Sequence, residues 1–83
     1  GDEMITTETN KISPSATIYP NPATEYVNIV SSKESSITIY DVYARIVYKG
    51  MLNTGINTIF IESYKSGIYL FKTDDKIYKI TIK

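Results

Sequence analysis

The stretch "IYLFKTDDKIYKITIK", residues 68–83, contains two segments of alternating side chains separated by two aspartates. Alternation of this kind is typical of half-buried β-strands, and a short polar break between two such strands indicates a hairpin. With Asp74 and Asp75 as a two-residue loop, the flanking strands pair antiparallel in one register. The sequence therefore predicts a β-hairpin over residues 68–83.

The predicted register brings the aromatic residues of the hairpin together on one face. It places Phe71 opposite Tyr78 and, two residues further on, Tyr69 opposite Ile80. Cross-strand pairs of aromatic and branched side chains contribute about 0.2–1 kcal/mol each. A shift by one residue would turn the lysines of the last strand inward, so this register is favoured. The predicted inner stripe is Tyr69, Phe71, Tyr78, Ile80 and Ile82.

Branched and aromatic residues dominate the whole chain. Isoleucine, valine and threonine make up about a third of the 83 residues, and there are eight tyrosines. Such side chains fit a pleated, half-buried surface, whereas the helix formers alanine and leucine are scarce. The composition therefore predicts an all-β protein, and a chain of this length has room for one domain.

Short alternating segments with turn residues between them run through the rest of the chain. Val27 and Ile29 share a face on one segment, and Ile37 and Ile39 share a face on the next. Seven segments at a spacing of about ten residues predict a two-sheet antiparallel sandwich. The predicted strands are Thr17–Tyr19, Glu25–Val30, Ser36–Asp41, Arg45–Lys49, Asn57–Glu62, Ile68–Thr73 and Lys76–Lys83.

Three further predictions concern the segmentation. Ile46 and Tyr48 are predicted to share a face of the fourth strand, and residues 50–55 are predicted to form a loop bounded by glycines. Residues 1–16 are polar and show neither the helical nor the strand period. They are therefore predicted to be a flexible lead-in to a domain that spans residues 17–83.

The composition also argues against several classes of function. Nine basic and nine acidic side chains cancel, which disfavours a nucleic-acid partner, and no apolar run is long enough to span a membrane. The chain has neither histidine nor cysteine and no glycine-rich phosphate loop, so we predict neither an enzyme nor a cofactor. Asp74, Asp75 and Asp41 lack the spacing of a calcium loop, and we interpret the aspartate pair as turn residues rather than metal ligands.

The tyrosines suggest an alternative function. A platform of exposed tyrosines could stack on carbohydrate, because the ring is apolar and the hydroxyl is polar. Tyr69 and Tyr78 are predicted to point inward, whereas the pattern does not place Tyr26, Tyr43 or Tyr64. A cell-surface adhesion or carbohydrate-binding sandwich is therefore the alternative interpretation.

Several short motifs follow one another in a characteristic order. The segments "YPNPATEYVNI", "ITIYDVYARIVYKG", "GINTIFIESYKSGIYLFK" and "YKITIK" resemble the C-terminal sorting domain of the type IX (Por) secretion system of Bacteroidetes. The resemblance covers residues 17–83. The residues that match motifs of that family are Pro20, Asn21, Pro22, Ala23, Asp41, Arg45, Gly55, Asn57, Ser66, Gly67, Ile68, Tyr69, Tyr78 and Lys79.

One residue departs from the pattern of the family. Ala44 stands where the family usually has glycine, between Asp41 and Arg45. If this turn requires a positive φ, alanine costs about 1 kcal/mol there.

The resemblance implies a function in transport. A domain of this family is an immunoglobulin-like sandwich that addresses its cargo protein from the periplasm through the outer membrane, to the cell surface or the medium. The implied partners are the outer-membrane shuttle, the translocon and the sortase-like protease of the system. That protease commonly removes the domain and joins the cargo to surface lipopolysaccharide. In this chain the cut is expected within residues 1–16, because proteases need accessible backbone.

The last strand is the candidate recognition element. At the edge of a sheet, its unpaired N–H and C=O groups could pair with a partner strand that also reads alternate side chains. Lysines on such an edge also protect against aggregation. An open edge is further expected to allow strand exchange between two copies of the isolated domain. The residues predicted to carry recognition are Lys79, Thr81, Ile82 and Lys83.

Overall fold

The computed structural model describes residues 16–83, whose regular structure consists of β-strands. Ala16 belongs to the first strand, and the rest of the predicted lead-in lies outside the described residues. The seven strands are β1 (Ala16–Tyr19), β2 (Tyr26–Ser31), β3 (Ser35–Tyr40), β4 (Ile46–Leu52), β5 (Gly55–Phe60), β6 (Gly67–Thr73) and β7 (Ile77–Ile82).

The strands form two antiparallel sheets. One sheet has three strands in the order β1-β2-β5, and the other has four strands in the order β4-β3-β6-β7. The first, second and fifth strands therefore share one sheet and the third, sixth and seventh share the other, as in immunoglobulin-like domains. The prediction of an all-β antiparallel sandwich of about seven short strands is confirmed.

The inner faces of the two sheets enclose one apolar core. Its side chains come from alternate positions along the strands, because successive residues of a strand point to opposite faces. The two pairs that were predicted to share a face, on β2 and on β3, are fully buried. The buried hydrophobic residues are Ala16, Ala23, Val27, Ile29, Ile37, Ile39, Leu52, Ile59, Ile61, Tyr69, Phe71, Ile80 and Ile82.

The hairpin of β6 and β7 has the register that the sequence predicted. Phe71 pairs with Tyr78, and Tyr69 pairs with Ile80. The Thr73 amide donates a hydrogen bond to the carbonyl oxygen of Lys76 at 2.8 Å, which closes the loop of two aspartates. The predicted stripe of five side chains faces the core, with the one at position 78 partly buried and the other four buried.

β4 is longer than predicted. The loop assigned to residues 50–55 is wrong in its first half, because β4 continues to Leu52, which pairs with Ser35 and is 2% exposed. Gly50 stays inside the strand with the ring of Tyr48 above it, since a Cβ at this position would lie 3.0 Å from the tyrosine hydroxyl oxygen. Burial of a leucine in the core therefore outweighs the turn tendency of the glycine.

A β-bulge on β4 explains a second wrong prediction. Tyr48 pairs with Ile39, but Ile46 pairs with the next residue of β3, Tyr40, so that Val47 is the extra residue of the bulge. Neighbouring residues of β3 point to opposite faces, and their partners on β4 do the same. Ile46 and Tyr48 therefore do not share a face, and the side chain of Ile46 is 56% exposed.

Candidate docking surface

The turn at residues 20–23 covers the outer edge of β7. The amide of Thr81 donates a hydrogen bond to Oδ1 of Asn21 at 3.0 Å, and Nδ2 of Asn21 donates to the carbonyl oxygen of Lys79 at 3.3 Å. One asparagine side chain thus satisfies a donor and an acceptor that the strand would otherwise present to solvent. The asparagine of the "PNP" motif therefore covers part of the outer edge of β7.

Ala23 extends this cover by one residue along the strand. Its amide donates to the carbonyl oxygen of Thr81 at 2.9 Å, and its carbonyl oxygen accepts from the amide of Lys83 at 2.8 Å. Ala23 is fully buried, so the turn also packs into the core. The outer edge of β7 is therefore occupied from Lys79 to Lys83, and a partner strand would have to displace Asn21 and Ala23 to pair there.

The turn between β3 and β4 is organised by Asp41. Its Oδ1 accepts hydrogen bonds from the amides of Tyr43 at 2.9 Å and Arg45 at 3.0 Å, and its Oδ2 accepts from Nε of Arg45 at 2.8 Å. Partial burial tends to raise the pKa of the Asp41 carboxyl, but these hydrogen bonds and the charge of Arg45 outweigh it and lower the pKa. The guanidinium also lies 5.1 Å from the centre of the Tyr43 ring.

Ala44 in this turn has a φ of +63°. This φ lies in the left-handed region that favours glycine. The Ala44 amide donates to the carbonyl oxygen of Asp41 at 3.0 Å. The turn in which alanine stands at the family's usual glycine position therefore has the positive φ for which alanine is costly.

Asn57 closes the passage from β4 to β5, where the chain changes sheets. Its Nδ2 donates to the carbonyl oxygens of Asn53 at 2.8 Å, Gly55 at 3.2 Å and Ile29 at 3.2 Å. Its Oδ1 accepts from the amide of Asn53 at 2.9 Å. Gly55 has a φ of +103°, which supplies the left-handed bend at the start of β5. The "G-x-N" motif thus stabilises the connection between β4 and β5.

Two tyrosine hydroxyls tie loops and strands to the core. Tyr69 donates to the carbonyl oxygen of Lys65 at 2.7 Å, across the connection between β5 and β6. Tyr78 donates to the carbonyl oxygen of Ala16 at 3.1 Å, which links β7 to β1 of the other sheet. Each ring packs against the core while its polar end finds an acceptor, as buried tyrosines require.

The three tyrosines that the sequence did not place have different surroundings. Tyr64 packs against Tyr69 with 5.5 Å between the ring centres, and its partial burial raises the pKa of its hydroxyl. Tyr43 is 76% exposed at the tip of the β3–β4 turn, and Tyr26 is 40% exposed on β2. These tyrosines therefore lie apart in the fold, and only the one on β2 lies on a sheet face.

The two aspartates of the β6–β7 loop are held by neighbouring side chains. Oδ1 of Asp74 accepts from the hydroxyl of Ser36 at 2.6 Å and from its amide at 3.3 Å, and these hydrogen bonds lower the pKa of Asp74. Asp75 forms an ion pair with Lys33 at 3.1 Å. Among residues 16–83 no group of three or more metal-ligating side chains occurs.

The outer face of the four-stranded sheet combines apolar and basic side chains. Lys79 on β7 lies beside Leu70 on β6, and Thr81 lies beside Ile68. Strand β6 therefore has apolar side chains on both faces, because the aromatic Tyr69 and Phe71 point into the core. On the outer face Ile68 and Leu70 are about 40% exposed. The outward positions of this sheet are Ile46, Lys49 and Met51 on β4, Ser36, Thr38 and Tyr40 on β3, Ile68, Leu70 and Lys72 on β6, and Ile77, Lys79 and Thr81 on β7.

A groove of about 480 Å³ lies on this face, at the end nearer the β3–β4 turn. Its residues are Tyr40, Asp41, Val42, Ala44, Ile68, Leu70, Lys72 and Ile77. None of the outward strand positions carries a carboxylate, and the groove's one acidic side chain is paired with the neighbouring arginine. We call the outward positions of the four-stranded sheet, together with this groove, the basic face.

The basic face includes two of the four residues predicted to carry recognition. Lys79 is exposed and Thr81 is half-buried on the outward side of β7, and Lys83 is exposed just beyond the strand. Ile82 is 2% exposed because it points into the core, so in the folded domain its side chain is inaccessible to a partner. Sequence reasoning missed the apolar part of this face, although the uninterrupted run "GIYLF" could have indicated a strand that is apolar on both sides.

Together these features define a small antiparallel β-sandwich whose last strand has a covered outer edge and whose four-stranded sheet has an outer face of apolar and basic side chains. The family model of the secretion system C-terminal sorting domain matches residues 17–83, and the chain belongs to that family. Domains of this family serve as sorting signals of type IX secretion and are generally non-catalytic. Their role implies interaction with the secretion machinery and export to the cell surface or the medium.

The search of curated proteins gave no match to this chain. The part of the chain that the structure describes has no helix that could cross a bilayer.

Proposed function

We propose that this domain directs its cargo protein through the outer membrane by presenting the basic face to the type IX machinery. The observation that carries the proposal is the match of residues 17–83 to the sorting-domain family. The partners would be the outer-membrane shuttle, the translocon and the sortase-like protease, which the cargo meets after crossing the periplasm. We infer the docking surface from the positions of the outward side chains in residues 16–83.

A side-chain face is better suited to this docking than the edge of β7. Hydrogen bonds from Asn21 and Ala23 occupy the edge from Lys79 onward, so strand addition would first cost these bonds. The side chains of Lys79 and Thr81 remain accessible on the outward side. A partner could therefore contact them without opening the fold.

The chemistry of the basic face indicates what the partner surface should carry. Leu70 and Ile68 offer apolar area at the floor of the groove, and Lys72 and Lys79 flank it with positive charge. The complementary surface would present an apolar side chain with carboxylates beside it. Charge complementarity of this kind speeds the encounter and disfavours wrong partners, while the apolar contact supplies most of the affinity.

We further propose that the protease cuts within residues 1–16 and attaches the cargo to the cell surface. Support comes from the family membership and from the polar sequence of this segment. Ala16 itself is buried in β1 and paired with Ser31, so a cut on its N-terminal side would leave the sandwich intact. Mass spectrometry of the exported cargo should find its new C-terminus before Ala16; an uncut fusion at the surface would contradict this part.

The sorting role is tested by fusing residues 1–83 to a reporter with a leader peptide in a strain that has the type IX system. We expect the reporter at the surface or in the medium, and we expect it to stay in the periplasm when the translocon is deleted or the domain is left out. Export without the domain, or export that survives deletion of the translocon, would refute the sorting role.

The docking surface is tested with two pairs of variants in the same fusion. Lys79→Glu should reduce export several-fold, whereas Lys65→Glu, which makes the same charge change on the β5–β6 connection, should not. Leu70→Ser should likewise reduce export, while Ile56→Ser on the other sheet should have little effect. Thermal unfolding of the purified variants checks that each one folds. Normal export of both basic-face variants would refute the docking surface and leave the sorting role standing.

A further inference from the structure

The outer face of the three-stranded sheet differs from the basic face because none of its outward strand positions carries a charged side chain. Its outward positions follow from the pairing of β1 with β2 and of β2 with β5. We call these residues the uncharged face: Thr17 and Tyr19 on β1, Tyr26, Asn28 and Val30 on β2, and Ile56, Thr58 and Phe60 on β5. The two sides of one small sandwich therefore differ in their chemistry.

Three aromatic residues lie together at one end of the uncharged face. Tyr26 pairs with Phe60. The amide of Ile61 donates to the carbonyl oxygen of Glu25 at 2.9 Å, so the adjacent pair, Tyr26 and Phe60, is of the non-hydrogen-bonded type in which side chains are closest. Tyr19 lies diagonally across from Tyr26, about 7–8 Å away, within reach of an aromatic ring.

These rings are unusually accessible for their size. Phe60 is 72% exposed, Tyr19 is 42% exposed and Tyr26 is 40% exposed. Burial in the core does not explain them, because the core lies on the other side of this sheet. They form an aromatic patch that spans three strands, a width of about 10 Å.

Polar groups adjoin the aromatic patch in the next row of the sheet. Asn28 lies between Tyr19 and Thr58, and the Thr58 hydroxyl donates to Oδ1 of Asn28 at 2.7 Å. Nδ2 of Asn28 has no acceptor among residues 16–83 and remains as a donor on this surface. The uncharged face thus places hydroxyl and amide groups beside aromatic rings.

We propose that the uncharged face binds a neutral, extended polysaccharide chain. A pyranose ring has an apolar C–H face and a rim of hydroxyl groups, so it can stack on Phe60, Tyr26 and Tyr19 while Asn28 and Thr58 bond its hydroxyls. A neutral chain suits a face whose outward strand positions offer no charge to pair. An anionic polysaccharide would instead favour the lysines of the basic face. This binding site is independent of the sorting role, because it uses the opposite sheet.

The test is a titration of the ¹⁵N-labelled 83-residue chain with neutral oligosaccharides, followed by NMR. The probes are cellohexaose, xylohexaose, mannohexaose and laminarihexaose, with oligogalacturonate as the anionic comparison. We expect at least one neutral probe to shift the amide signals of Tyr26, Asn28 and Phe60 in a saturable way. Oligogalacturonate should leave these signals in place.

Variants then connect the binding to the rings. Phe60→Ala and Tyr26→Ala should each weaken binding about 2- to 12-fold, the range expected for the loss of one aromatic contact. Ile77→Ala removes a 56% exposed side chain from the basic face and should bind as the unchanged chain does. Because all three positions are on the surface, the variants are expected to fold, and thermal unfolding of each variant tests this.

Three results would overturn the proposal. The first is that no neutral probe shifts these signals at millimolar concentration. The second is that Phe60→Ala binds as well as the unchanged chain. The third is that the signals depend on protein concentration without any sugar, which would identify the uncharged face as a contact between two copies. Export of a reporter fused to the Phe60→Ala variant should stay normal in every case, which separates this proposal from the sorting role.

Discussion

Replacing Ala44 by glycine should stabilise the domain. Ala44 is the one non-glycine residue with a positive φ among residues 16–83, at +63°. A left-handed conformation costs a residue with a Cβ about 1–2 kcal/mol, and glycine avoids this cost. Glycine also loses about 0.5–1 kcal/mol more conformational entropy on folding than alanine does. The methyl group of Ala44 is exposed, so little packing is lost, and the net gain is about 0.5–1 kcal/mol.

This gain should be visible in thermal unfolding followed by circular dichroism. For a domain of this size, 1 kcal/mol corresponds to about 4–8 °C in Tm, so Ala44→Gly should raise the Tm by about 2–8 °C. The matched control is Ala23→Gly, because Ala23 is fully buried and has no positive φ to relieve. That variant loses a buried methyl group and adds flexibility to the unfolded chain, so it should lose about 1–2 kcal/mol.

The two substitutions make the same chemical change and should move the Tm in opposite directions. A Tm for Ala44→Gly that is unchanged or lower would mean that the turn gains nothing from relief of its positive φ. The explanation of the family's glycine by backbone strain would then be wrong for this chain.

Three more outcomes follow from side-chain hydrogen bonds. Asn57→Ala removes four hydrogen bonds of a partly buried amide and should lower the free energy of unfolding in urea by about 2–3 kcal/mol. The control Asn28→Ala loses one exposed hydrogen bond and should lower it by less than about 1 kcal/mol. Asn21→Ala should lower the free energy of unfolding by about 1–2 kcal/mol and speed amide hydrogen exchange along the outer edge of β7. Exchange that stays slow in this variant would mean that Asn21 does not protect the edge. Folding lowers the pKa of Asp41 and of Asp74, so their stabilising contributions are present above the unfolded value near about 4 and are lost as the pH falls through the lower folded values. Asp41→Asn and Asp74→Asn should therefore flatten the dependence of the urea midpoint on pH below about 4, and an unchanged slope would count against this assignment.

Strand pairing was predictable from the sequence where both faces of a strand differ in polarity. The pairing of Phe71 with Tyr78 could be derived because a shifted register would bury lysines. The bulge beside Ile46 could not be derived, because "RIVYK" is apolar enough for either face and nothing local marks the extra residue. The strand position of Leu52 was likewise hidden by the glycines on either side of it, since the core that buries it comes from distant strands.

The candidate site was predictable only in part, for a similar reason. Alternation along β7 placed Lys79 and Thr81 on the outward side. The aliphatic residues beside them depend on which strand is the neighbour of β7, and the cover by Asn21 depends on a contact across the sandwich. The local sequence pattern predicts to which face of its own strand a side chain points. A surface formed by several strands can be predicted only when the order of the strands in the sheet is known.

The cover of β7 has a consequence for folding. The hydrogen bonds between Asn21 and β7 join residues that are 58 and 60 positions apart in the sequence. Contacts at such separation form slowly, because a long loop must close before they contribute. Until they form, β7 has a bare edge that can pair with any other chain nearby, which is the usual start of aggregation. We therefore expect the "PNP" turn to close late in folding, and its closure to protect the edge of β7 from pairing with other chains.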